Sequence, residues 1–108
     1  MKALLILVLT AGSLMIAGQA AAVDAGAAEA LAQKSGCLAC HSVANKIVGP
    51  AYKDVAAKYK GDKTAEAKLI AKVKAGGSGV WGPIPMPPNS PHVKDEDIKI
   101  IVQWVLTL

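Results

Sequence analysis

Arginine is absent from this chain, and all 12 of its basic residues are lysines. Without a guanidinium there is no bidentate fork for phosphate or guanine, so the net charge of +4 is a poor argument for a nucleic-acid binder. Phenylalanine is absent too, which leaves Tyr52, Tyr59, Trp81 and Trp104 as the whole aromatic complement. So small a chain with so little bulk cannot fill a comfortable core unaided, and a staple or a cofactor is expected. No stretch alternates apolar and polar residues as a half-buried strand does, which argues against a βαβ unit. Long apolar runs are missing as well. The longest, from Ala3 to Ala17, is interrupted by Thr10, Gly12 and Ser13 and falls short of the roughly 20 residues that span a bilayer.

That run has a different use. Lys2 precedes it and Gly18-Gln19-Ala20-Ala21-Ala22 follows, the three-part pattern of a secretory signal peptide with Ala20-x-Ala22 as the cleavage box. The chain is therefore expected to divide into a leader, residues 1–22, and one small domain, residues 23–108, beginning near Val23. An uncleaved leader serving as a membrane anchor is the alternative. Cleavage removes Lys2 and leaves 12 − 1 = 11 lysines against 8 acidic residues, a net of +3. Such a surface is either a solvated coat or a docking face for an acidic protein partner.

Two cysteines remain, and both lie in Cys37-Leu38-Ala39-Cys40-His41. As C-x-x-C-H, this stretch sets two thiols one turn apart, able to add across the vinyl groups of a haem, beside an imidazole placed to ligate the iron. Three other readings compete. A redox dithiol would sit in a βαβ context. A zinc tetrahedron would need Cys37, Cys40, His41 and His92 together, and adjacent residues chelate one tetrahedral ion poorly. A plain Cys37–Cys40 disulfide leaves His41 unexplained.

Helical spacing organises most of what surrounds the motif. Asp24 to Ser35 carries Ala28, Leu31 and Ala32 on one face, with Asp24 as N-cap and Gly36 as stop. Ser42 to Pro50 has no sustained period and predicts a loop wrapping one side of the motif. Ala51 to Lys60 places Tyr52, Val55, Ala56 and Tyr59 together, with both tyrosines serving the core. A third helix, capped by Thr64 and running to Lys74, turns Ala67, Ile70 and Val73 inward, with Leu69 beside them. The last runs from Asp95 to Leu108 with Ile98, Ile101, Val102 and Val105 on its apolar face and three acids in its first turn, and it is expected to pack across the first.

Between the third and fourth helices the composition changes. Gly76 to Pro91 holds five prolines and four glycines, which forbid a helix and supply few donors to a sheet ladder. Trp81, Ile84 and Met86 are too bulky for a mere linker, so an ordered functional loop is expected. Met1 and Met15 belong to the leader, which makes Met86 the one thioether of the domain. Flanking prolines stiffen its loop and reduce the entropy lost if its sulfur is held at an iron. Core filling is the ordinary use of a methionine, and His92, six residues on, is the competing ligand.

Gly36-Cys-Leu-Ala-Cys-His41, Val48-Gly-Pro-Ala-Tyr-Lys-Asp-Val-Ala-Ala-Lys58, Gly79-Val-Trp-Gly-Pro-Ile-Pro-Met-Pro-Pro-Asn89 and Trp104-Val-Leu106 together resemble the small bacterial class I cytochromes c of the c551/c552 group. The resemblance covers essentially all of residues 23–108. It implies an all-α fold, about four short helices around one covalent haem c, with Cys37 and Cys40 as thioether links and His41 and Met86 as axial ligands. It implies that the Pro50 carbonyl accepts from His41, that Trp81 bonds a haem propionate, and that Asn89 supports the methionine loop. A periplasmic one-electron carrier is then expected, not an enzyme. Its donor would be a quinol:cytochrome c reductase, and its acceptor a terminal oxidase or a cytochrome cd1-type nitrite reductase. Two departures stand out: Lys72 occupies a place where some relatives have a propionate-binding arginine, and Ser90 to Lys94 is about two residues longer.

Overall fold

The structure, a computed structural model, describes residues 23–108; the expected leader and its cleavage box lie outside the described residues. Four helices carry the fold: α1 (Ala25–Lys34), α2 (Tyr52–Lys58), α3 (Ala65–Ala75) and α4 (Asp95–Val105). Asp24 caps α1, accepting the Ala27 N–H at 3.0 Å. Gly36, at a left-handed φ of 83°, turns the chain out of it. Ala28 and Ala32, one turn apart, are fully buried, and their small side chains let α1 lie close against α4, the packing expected from the sequence.

α4 is the central element. Ile98, Ile101, Val102 and Val105 are buried along it as the spacing predicts, and Trp104 joins them. Ile101, Trp104 and Val105 pack with Ala28, Ala32, Tyr52 and Val55, while Ile98 and Val102 meet Val93 and the half-buried Leu69, Ile70 and Val73 of α3. Burial of each such aliphatic side chain is worth roughly 1.5–3 kcal/mol. Gln103 reaches across to Glu66 at 3.0 Å and ties α4 to α3 at their rim.

Two details of α3 differ from expectation. Ala67 is exposed and Ala65 is the buried alanine, because the inward stripe is carried by the larger Leu69, Ile70 and Val73. Thr64 does not cap the helix with its own side chain; Asp62 Oδ1 takes both the Thr64 N–H, at 2.8 Å, and the Thr64 hydroxyl, at 2.6 Å.

The proline-rich stretch is ordered, and part of it forms a two-stranded antiparallel hairpin, β1 (Gly77–Gly79) with β2 (Gly82–Met86), an element the sequence had not suggested. Gly77 pairs with Met86 and Gly79 with Gly82, with an irregularity between. In an antiparallel ladder only alternate residues turn their N–H toward the partner. Pro83 and Pro85 fall between Gly82, Ile84 and Met86, so the missing donors lie on the edge facing away.

Candidate functional site

Residues 36–51 form one wall of the site. After Gly36, Cys37–Ala39 makes a single 3₁₀ turn, and the N–H groups of Cys40 and His41 both donate to the Cys37 carbonyl, at 3.2 and 3.0 Å. This turn keeps the two cysteines close in sequence, and they are not joined to each other as a disulfide. The following loop is fastened by its backbone: Gly49 N–H donates to Cys40 O at 2.7 Å, Tyr52 N–H to Ser42 O at 2.9 Å and Lys53 N–H to Val43 O at 3.0 Å. The His41 ring lies inside that loop. Its Nδ1 hydrogen-bonds the Pro50 carbonyl at 2.8 Å, which fixes the proton on Nδ1 and leaves Nε2 with its lone pair free to ligate.

Tyr52, at the start of α2, stacks on His41 with ring centroids 5.0 Å apart and meets Trp104 edge-on at 5.6 Å. The imidazole is thus connected through two aromatic rings to the centre of the core. Burial pushes the Cys37 thiol above its ordinary range, and a hydrogen bond with the Tyr52 hydroxyl partly offsets the shift. Burial likewise drives the Tyr52 hydroxyl well above the usual phenol range, with Cys37 adding to it. The Tyr52 hydroxyl therefore holds its proton at neutral pH.

The opposite end of the sequence motif pair is built differently. Met86 ends β2, half-buried, and the chain after it is clamped to the last turn of α3. The Asn89 amide donates to Val73 O at 3.2 Å and to Pro87 O at 3.1 Å, while the Asn89 N–H also reaches Val73 O, at 3.1 Å. Gly76, with φ of 69°, passes so close to the Met86–Pro88 backbone that a Cβ there would collide with it. Trp81 sits at the hairpin tip, 43 % exposed, with the Lys58 ammonium 5.6 Å from its ring centre.

Cys37, Cys40, His41, Pro50, Trp81 and Met86 all line one predominantly apolar cavity of about 340 Å³, closed at the back by Val55, Leu69, Ile101 and Val105. Lys46, Lys72 and Asp54 line it too. Asn89 stands behind the wall and holds Met86 in place through the loop. His92 is exposed and outside the cavity, so the four zinc ligands weighed from the sequence are not brought together. Among the described residues, no three His, Cys, Asp or Glu side chains gather to hold a metal ion. Two thiols, a free imidazole nitrogen, a thioether and apolar walls are the donor set and surroundings that a covalently held haem requires. The site contains contributors that pattern alone did not reveal: the stack of Tyr52 on His41 and the closeness of Gly49 to the imidazole both need the fold.

The profile of the Cytochrome c family matches residues 25–108. Cytochrome c-551 of Allochromatium vinosum is 65% identical over 78 residues, covering 72% of this chain and 82% of that protein. Cytochrome c-552 of Nitrosomonas europaea is 52% identical over 98 residues, covering 91% of this chain and 89% of that one. The crystal structure of wild-type Nitrosomonas europaea cytochrome c552 superposes with a TM-score of 0.70 at 54% identity, covering 74% of this chain and 98% of that one. The class 1 cytochrome MtoD from Sideroxydans lithotrophicus ES-1 also gives a TM-score of 0.70, at 38% identity, over 80% of this chain and 97% of the other.

Proposed function

Since this chain belongs to the cytochrome c family, we propose that it is exported and shuttles single electrons in the periplasm between a respiratory donor and a terminal acceptor. A protein of this class I type carries one covalently bound haem c and is an electron carrier, not an enzyme. When bound, the haem supplies a one-electron Fe(III)/Fe(II) couple. Cys37 and Cys40 would hold it through thioethers, and His41, oriented by Pro50, with Met86, held by its prolyl loop and by Asn89, would ligate the iron. With both so committed, the chain would offer no open position for oxygen, peroxide or nitrite. The observation that carries this reading is that the two cysteines, His41 and Met86 line the same apolar cavity although they come from two separated segments of the chain.

Trp81, at the cavity mouth, is the residue to bond a haem propionate. The mouth is rimmed by exposed apolar side chains, Val48, Val80 and Ile84. A rim of this kind suits brief, small encounters with redox partners. By the same reading these are a quinol:cytochrome c reductase on the donor side and a terminal oxidase or a cd1-type nitrite reductase on the acceptor side. Of the four lysines nearest the motif and the methionine loop, Lys46 and Lys72 line the cavity, Lys34 ends α1, and Lys74 is paired with Asp95 at 3.0 Å. No helix of the described residues is long and apolar enough to cross a membrane, in keeping with a diffusible carrier once residues 1–22 are cleaved. Mass spectrometry of the protein expressed with its leader tests the proposal. A soluble periplasmic chain beginning near Val23 and bearing one haem is expected; a membrane-bound chain retaining residues 1–22 would contradict it.

A further inference from the structure

Gly49 has an ordinary backbone conformation, outside the left-handed region that favours glycine. Its lack of a side chain therefore has another cause. A Cβ built on Gly49 would lie 2.5 Å from His41 Cε1, 2.8 Å from Nδ1 and 3.0 Å from Nε2, closer than non-bonded carbon tolerates. Nor can the backbone withdraw. Gly49 N–H is fastened to Cys40 O at 2.7 Å, Gly49 O accepts from Ile47 N–H at 3.2 Å, and the next residue supplies the carbonyl that His41 Nδ1 bonds. Tyr52, stacked on the imidazole, limits its escape.

From this geometry we infer that Gly49 is a positioning residue: its missing side chain sets the orientation of the His41 imidazole and preserves the Nδ1–H···O=C bond to Pro50. The inference rests on His41 being an axial ligand. A methyl group at position 49 turns the ring or lengthens its bond to Pro50. Because a hydrogen bond from Nδ1 makes the imidazole a more basic ligand and so favours the ferric state, its weakening shifts the reduction potential upward.

The test compares holoprotein of wild type, Gly49→Ala and Gly26→Ala. Gly26, in α1, would place a Cβ no nearer than 3.5 Å to another group, and it controls for the generic effect of adding a methyl. In Gly49→Ala the His41 Nδ1–H resonance and the haem-methyl hyperfine pattern of the ferric protein should move, with the potential raised, while Gly26→Ala matches wild type. Resonances and potential unchanged in Gly49→Ala would overturn the inference. Should Gly49→Ala yield no holoprotein, Gly49→Ala/Tyr52→Leu gives the ring room to turn: recovery of holoprotein supports the inference and no recovery overturns it. If wild type itself shows no axial histidine signature, the ligation reading fails, whatever Gly49 does.

Discussion

The two halves of the site hold their proposed ligands, His41 and Met86, by different means. His41 sits in a loop fastened every few residues by backbone bonds to Cys40, Ser42 and Val43 and stacked through Tyr52 onto the buried Trp104. Met86 sits at the end of a short, exposed hairpin whose stiffness comes from its own prolines and whose attachment to the body runs through Gly76 and Asn89. One proposed ligand is built on the core and the other on a covalently stiffened loop. The Met86 side should therefore loosen first, with the His41 side surviving until the helices themselves melt.

Removing the haem that both halves are proposed to hold gives the largest effect. Cys37→Ser/Cys40→Ser is expected to lose covalent haem and, with so few aromatic residues in the core, to leave a mostly unfolded chain by far-ultraviolet circular dichroism. A cooperative, haem-free fold would show that the core stands without its cofactor.

Loosening only the loop is a smaller change. Asn89→Ala removes the amide bonds to Val73 O and Pro87 O, a loss of about 1–3 kcal/mol. In a urea titration the methionine signal should disappear at a lower midpoint than helicity in this variant, while the two coincide more closely in wild type. Equal shifts of both signals would mean that the halves melt as one.

Alkaline pH probes the other half. The folded-state pKa of Tyr52 is raised, so its contribution to stability is fully present below the unfolded value, about 10, and is lost as pH rises above it, by at most about 1.4 kcal/mol per pH unit. Tyr52→Phe should flatten the alkaline limb of the stability curve and leave neutral stability within about 1.5 kcal/mol of wild type. An alkaline limb as steep as wild type would place the titrating group elsewhere.

The smallest effects concern docking. The net charge is modest and the rim around Val80 and Ile84 is apolar, so Lys→Gln at positions 34, 46, 72 or 74 should each change the rate with a redox partner only slightly, with salt screening the set over about 8 Å at physiological ionic strength. A steep salt dependence abolished by a single substitution would move the docking role from the rim to that lysine.

The same contrast explains what the sequence disclosed. Helices announce themselves by period, so α1 and α4 were legible down to the Asp24 cap and the Ile98–Val105 stripe, and the C-x-x-C-H motif carries its chemistry in its spacing. The hairpin was not legible, because composition counts prolines whereas a ladder cares only which alternate positions they occupy. Thr64 looked like a cap, yet the nearer acceptor was Asp62, a competition between two short polar side chains that only coordinates resolve. Ala67 was placed inward and Ala65 passed over because an alanine contributes little to the pattern that separates inside from outside. Gly49 lay unremarked in a loop without a period, since closeness to His41 is a property of the folded loop.

Most direct for the central claim, that His41 and Met86 close both sides of one haem, is the ferric absorption spectrum of wild type, Met86→Ala and His92→Ala. The sulfur-to-iron charge-transfer band should be present in wild type and in His92→Ala and absent from Met86→Ala. Its retention in Met86→Ala, or its loss in His92→Ala, would contradict the assignment.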